Sequence, residues 1–114
     1  MTSQRNREPA DVRAAMDEIR AVPEGSDRRS ITLVSGGGMR VVLLRLRAGA
    51  SLPAHATSGP TTIHALEGRV TVDIEGSTNA LRAGGLVALD AGEQHGVSAQ
   101  EDSTLLLTVG TPAG

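Results

Sequence analysis

The chain has 114 residues and a formal net charge of −2, and it contains no Cys, Phe, Tyr or Trp. This length suits one domain, and the absence of a basic surplus argues against nucleic acid and anionic membranes as partners. Without cysteine there is no disulfide and no thiolate nucleophile, which is compatible with the cytoplasm as the predicted location. Residues 1–30 lack the pattern of a signal peptide, and no apolar run reaches the ~20 residues of a membrane-spanning helix.

A helical pattern follows a polar N-terminal tail. Val12, Met16 and Ile19 recur at the spacing of one helix face, while charged residues occupy most positions between them. Prolines flank this segment, so the pattern predicts one amphipathic helix over about residues 9–21. We expect its apolar face to be covered by the rest of the domain or by a partner subunit. Residues 1–30 are therefore assigned to a tail and helix that precede the main domain.

After this helix the sequence favours β-structure. Short segments rich in Val, Leu, Ile and Thr alternate with Gly, Pro, Asp and Ser, which is typical of a sandwich or barrel. The segment 48–59 is predicted to be a loop, and the strands on either side of Gly68 are predicted to form a hairpin. The barrel is predicted to cover residues 31–110. Its predicted strands are 31–35, 39–47, 61–67, 69–75, 80–82, 86–89, 95–99 and 104–109.

Two blocks bounded by glycines have the most specific spacing in the chain. The first contains Gly49, His55, Thr57, Thr61 and Gly68 in that order, and the second contains Gly84, Asp90, Gly92 and His95. Together they resemble the two motifs of the cupin family. The resemblance implies an all-β fold, a single-domain cupin double-stranded β-helix (jelly-roll barrel) with one N-terminal α-helix.

In cupins the first motif usually provides two His and one Glu, and the second provides one His, to a single metal ion. The resemblance places His55 and His95 at two of these positions, whereas Thr57 replaces the second His and Thr61 replaces the Glu. Hydroxyls are weak ligands for divalent metals, and catalytic sites usually have three protein ligands. We therefore predict His55, Thr57, Thr61 and His95 as ligand-binding residues. No cofactor is expected, and a divalent metal at His55 and His95 is the alternative.

The third histidine is predicted to lie outside this site. Successive side chains of a strand point to opposite faces of its sheet. If Thr61 points into the barrel, then Ile63 does too, and His64 points away from it.

Three functions are compatible with these residues. The first is a degenerate cupin that binds a small molecule in its barrel and has a sensing or accessory role. The second is a metal-dependent oxygenase or isomerase that uses His55, His95 and a third ligand that the sequence does not identify. The third is a structural homodimer with a filled barrel. A homodimer is expected in any case, because small domains gain from further burial, and both the sheet edges and the apolar stripe of Val12, Met16 and Ile19 favour pairing.

Overall fold

A computed structural model describes residues 8–111 and confirms the predicted all-β architecture with one helix. The predicted N-terminal tail lies largely outside the described residues. Among those described, no helix is long and apolar enough to cross a membrane. The elements are α1 (Val12–Ile19), β1 (Arg28–Gly36), β2 (Met39–Leu46), β3 (Ser51–His55), β4 (Thr61–Glu67), β5 (Arg69–Ile74), β6 (Ser77–Arg82), β7 (Leu86–Leu89), β8 (His95–Ala99) and β9 (Ser103–Gly110).

The strands form two antiparallel sheets that share one core. The five-stranded sheet has the order β1-β2-β9-β4-β7, and the four-stranded sheet has the order β3-β8-β5-β6. Side chains of one parity along each strand face inward, as the buried Thr61, Ile63 and Ala65 of β4 illustrate. Aliphatic side chains from both sheets pack into a single cluster that includes Leu44, Leu46, Ile63, Val70, Val72, Val97 and Leu105. This arrangement is that of a jelly-roll barrel.

Helix α1 packs on the outer face of the five-stranded sheet. Asp11 is extended, and its side chain accepts a hydrogen bond of 3.0 Å from the amide of Ala14. This N-cap satisfies an amide that would otherwise lack a partner, and it fixes the start of the helix at Val12. The observed helix, Val12–Ile19, is shorter than the predicted 9–21. Ala15 and Ile19 are buried against Leu43, so the barrel itself covers part of the helix's apolar face.

The predicted loop at 48–59 is partly wrong, because it contains β3. This strand lies at the edge of the four-stranded sheet and pairs with β8. A register shift between Leu52 and His55 accommodates Pro53, and edge strands and bulges are the places in a sheet that tolerate proline. The side chains of β3 are mostly exposed, so the sequence lacks the apolar alternation that identifies a half-buried strand.

The predicted hairpin around Gly68 is also wrong. β4 pairs with β7 and β9, whereas β5 pairs with β6 and β8, so the two strands belong to different sheets. Gly68 alone separates them, with a φ of 84°, and a Cβ at this position would lie 2.3 Å from Ser103 Oγ. A single residue is too short for the usual hairpin turns, so the chain crosses from one sheet to the other here.

Two strands begin three residues earlier than predicted. β1 begins at Arg28 rather than residue 31, and β6 begins at Ser77 rather than residue 80. Arg28 is paired with Leu46, and Ser77 is paired with Ile74. Both starts are polar and exposed, so backbone pairing extends these strands into segments that lack an apolar signal.

Candidate ligand-binding site

His55 and His95 are cross-strand partners at one end of the four-stranded sheet. Their ring centroids are 4.5 Å apart, and the ring planes are tilted by 48°. His95 is only 4% exposed and shares the inward parity of β8 with Val97 and Ala99. The structure thus brings together the two histidines that the motif spacing pairs. One small ligand can contact both rings.

A backbone carbonyl orients each of these imidazoles. His55 Nδ1 lies 3.2 Å from the carbonyl oxygen of Pro53, and His95 Nδ1 lies 3.2 Å from that of Glu93. Because a carbonyl oxygen only accepts, each Nδ1 must carry the proton in these contacts, and a neutral ring then keeps a lone pair on Nε2. Neither Nε2 has a hydrogen-bonding partner among residues 8–111. Both atoms are therefore available to a ligand.

Thr57 and Thr61 form the opposite lip of the site. Their Oγ1 atoms are 3.0 Å apart, and Thr57 also donates to the carbonyl of Gly59 over 3.0 Å. A Cβ on Gly59 would lie 1.7 Å from the carbonyl oxygen of Gly110, so only glycine lets this turn pack against β9. The proton of Thr57 is used within the turn. The two threonines therefore shape the wall of the site and offer mainly acceptor lone pairs to a ligand.

These four residues line one cavity between the sheets, which we call the barrel cavity. Its volume is about 150 Å³. An apolar cavity of about this volume holds a molecule the size of benzene. Besides the two histidines and two threonines, its lining consists of Arg40 and of aliphatic side chains such as Leu44, Leu52, Ile63, Leu105 and Leu107.

Arg40 is the residue of this site that the sequence analysis missed. It is exposed, but its side chain reaches the barrel cavity. The signal was present, because Arg40 has the same parity along β2 as Leu44 and Leu46, which point into the core. Within residues 8–111 its guanidinium makes neither an ion pair nor a side-chain hydrogen bond. It is therefore a cation available at the mouth of the cavity.

His64 behaves as the alternation of β4 predicts. It is half-buried and does not line the barrel cavity. A wider groove of about 560 Å³ lies beside α1, and Asp17, Arg20 and Glu67 in its lining are paired with one another. There, Arg20 contacts both Asp17 and Glu67. The barrel cavity is the smaller of the two, yet it contains the buried His95, whose Nε2 has no partner among the described residues.

The residues at the cavity fall short of the metal site that the cupin resemblance implies. His55 and His95 supply two donors, and the hydroxyls of Thr57 and Thr61 are neutral. Glu93 is close in sequence, but its Oε1 accepts a hydrogen bond of 2.7 Å from the amide of Asp90. Within the described part of the chain, no group of three His, Cys, Asp or Glu residues is placed to hold a metal ion. A third protein ligand is missing from the usual catalytic set.

Comparisons with known proteins agree with this fold. A family model described as a cupin domain matches residues 42–110. An RmlC-like cupin from Shewanella frigidimarina is similar over 96% of this chain and 95% of its own, with 17% identity and a TM-score of 0.78. A conserved protein of unknown function from Streptococcus pyogenes is 25% identical over 80% of each chain, with a TM-score of 0.73. Among curated proteins there is no match. The chain belongs to the cupin family.

Proposed function

We propose that this cupin binds a small molecule in its barrel cavity and has a sensing or accessory role. His55 and His95 contact the polar part of the ligand, and aliphatic side chains enclose the rest. Thr57 and Thr61 complete the polar wall. Pockets of this kind, mostly apolar with a few placed polar groups, are typical of small-molecule sites.

The observation that carries this proposal is the orientation of the two imidazoles. Each Nδ1 is bonded to a backbone carbonyl, which leaves both Nε2 atoms unpartnered within residues 8–111. This matters most for His95, which is buried, because a buried polar atom without a partner costs about 1–3 kcal/mol; His55 is exposed, so water can reach its Nε2. A ligand that donates a hydrogen bond to Nε2 removes this cost. The cavity itself argues against a purely structural role with a filled barrel.

The same orientation favours a second candidate, a metal-dependent oxygenase or isomerase. Histidine ligands usually bind metal through one nitrogen while the other donates to a carbonyl or carboxylate, as both rings do here. Two features argue against a metal ion. The described residues that line the cavity include no carboxylate, and they include the Arg40 cation. Elemental analysis of protein purified without a histidine tag separates the two. About one tightly held metal ion per chain would favour the enzyme.

A ligand screen by nuclear magnetic resonance tests small-molecule binding directly. Compounds that bind the parent are re-measured with His55→Ala and His95→Ala, which each remove one Nε2 acceptor. We expect the dissociation constant to rise roughly two- to tenfold in each variant, since a hydrogen bond contributes about 0.5–1.5 kcal/mol.

His64→Ala is the matched control, because His64 lies on β4 but outside the barrel cavity. Binding should be unchanged in this variant. Equal losses in all three variants would indicate a general loss of structure rather than a lost contact. Affinities that no substitution changes would show that the ligand site lies elsewhere.

A further inference from the structure

Arg40 belongs to a row of three residues that cross the five-stranded sheet, which we call the inner row. Arg40 on β2 is paired with Val109 on β9, and Val109 is paired with Thr61 on β4. All three side chains line the barrel cavity. The row therefore has a cation at one end and a neutral hydroxyl at the other. None of the described residues that line the cavity has a carboxylate.

On the outer side of Arg40 the described residues supply no carboxylate either. Arg40 also borders a shallow surface groove whose other lining residues are Thr57, Ser58, Val109, Gly110 and Thr111. A guanidinium has five N–H donors in a planar fork that matches a carboxylate in two parallel hydrogen bonds. At Arg40 no described residue supplies such an acceptor, although the side chain is directed to the mouth of an apolar cavity.

We infer that Arg40 recognises an anionic group of the ligand, and that the ligand is a small hydroxy monocarboxylate. This inference rests on the proposed function and specifies its ligand class. The carboxylate binds Arg40 at the mouth, and the hydroxyl donates to a histidine Nε2 that can only accept in a neutral ring. The aliphatic body occupies a cavity of about 150 Å³, which limits it to roughly the size of a benzene ring.

A single negative charge suits the site better than a phosphate does. Arg40 is the one residue with a permanent charge among those that line the cavity. A phosphate monoester carries about −1.5 to −2 at neutral pH, so one guanidinium would leave part of its charge uncompensated next to aliphatic side chains. Phosphate is therefore the matched negative arm of the test.

The test uses the full chain and calorimetric titration at low ionic strength. The probes are α-hydroxyisovalerate, β-hydroxybutyrate and γ-hydroxybutyrate, each with its neutral amide, together with isovalerate and inorganic phosphate. At least one hydroxy acid should bind roughly tenfold or more tightly than its amide, because hydrogen bonds to charged groups are the stronger ones. Isovalerate, which lacks the hydroxyl, should bind more weakly than α-hydroxyisovalerate if the latter is the best probe.

Arg40→Met should abolish the preference for the acid and leave the affinity for the amide unchanged. Arg40→Lys keeps the charge without the planar fork and should retain part of the preference. Arg82→Met is the matched control, because Arg82 is an exposed arginine on β6, in the other sheet. It should bind every probe as the parent does, and melting curves of all variants check that they are folded.

The outcomes separate this inference from the function on which it rests. Hydroxy amides that bind as well as the acids, and that lose affinity in His55→Ala and His95→Ala, would overturn the role of Arg40 and leave the proposed function standing. Phosphate binding more tightly than any acid would overturn the ligand class. If no probe bound at millimolar concentration, both the ligand class and the role of Arg40 would be rejected.

Discussion

The inner row and a second row across the same three strands differ in how their polar groups are satisfied. The second row, which we call the outer row, consists of Arg45, Thr104 and Glu67. There Arg45 donates to Thr104 over 2.9 Å, and Thr104 donates to Glu67 over 3.0 Å. Arg20 of the segment that ends α1 also contacts Glu67. Each row thus has an arginine of β2, but within residues 8–111 only the outer arginine has a carboxylate partner.

A β-bulge accounts for the carboxylate of the outer row. The register of β4 against β9 shifts between Ala65 and Glu67, so that Glu67 lies opposite Thr104. Arg45 has only 14% of its side chain exposed, and Thr104 is fully buried. Such groups are costly to leave unpaired, and here they hold the helix segment on the sheet. An arginine that is paired with a carboxylate of the protein therefore supports the fold. An arginine that lies at a cavity without a described partner is instead a candidate for ligand binding.

The largest effect should follow removal of the outer carboxylate. Glu67→Ala leaves the Thr104 hydroxyl without its acceptor and Arg45 without a carboxylate, and we expect the free energy of unfolding to fall by about 1–3 kcal/mol. Chemical denaturation measures this change. The control is Glu101→Ala, because Glu101 is 57% exposed in its ion pair with Arg69. That substitution should cost about 0–1 kcal/mol, and an equal loss in both variants would refute the distinction between the rows.

The next effect should follow addition of metal donors to the barrel cavity. Thr57→His with Thr61→Glu restores the residue types that the cupin motif has at these positions. We expect the double variant to bind nickel or zinc at least about tenfold more tightly than the parent, which corresponds to ~1.4 kcal/mol. Because the Arg40 guanidinium competes for the added carboxylate, a further Arg40→Met should strengthen binding again. Titration with unchanged metal affinity would show that these positions do not converge on one ion.

A smaller effect concerns acid stability. The hydrogen bond from Arg20, aided by the one from Thr104, lowers the pKa of Glu67 below its ordinary value of 4.5. The unfolded chain therefore binds a proton at higher pH than the folded one does. The stabilisation from Glu67 is complete above about pH 4.5 and is lost as the pH falls through the lowered pKa of the folded state.

Denaturation curves of the parent and of Glu67→Gln across this pH range test this dependence, because glutamine cannot titrate. The stability of the variant should depend less steeply on pH below 4.5 than that of the parent. Parallel curves for the two proteins would mean that other carboxylates account for the acid response.

The smallest effect should be that of the inner arginine on stability. Arg40→Met removes no side-chain hydrogen bond or ion pair with a described residue, so we expect the free energy of unfolding to change by less than about 0.5 kcal/mol. A loss comparable to that of Glu67→Ala would show that Arg40 supports the fold after all. The prediction is useful because the same variant is expected to change ligand binding.

Several predictions from the sequence are confirmed, and others stay predictions. The glycine spacing identified the cupin barrel, and alternation along β4 placed Thr61 inward and His64 outward. The homodimer stays a prediction. Part of its support is gone, because Ile19 of the apolar stripe is buried against the barrel. Light scattering would decide it, and a monomer at all concentrations would reject it.

The family and the convergence of His55 with His95 were predicted from the resemblance to the cupin motifs, and the inward face of β4 was predicted from alternation. Alternation is a local signal, since it depends only on neighbours along the chain. The sequence did not predict that β3 is an edge strand or that β4 and β5 lie in different sheets, and the tertiary structure was needed to show both. The tertiary structure also decided which arginine of β2 has a carboxylate partner. Strand pairing and bulges join residues far apart in sequence, so no local pattern encodes them.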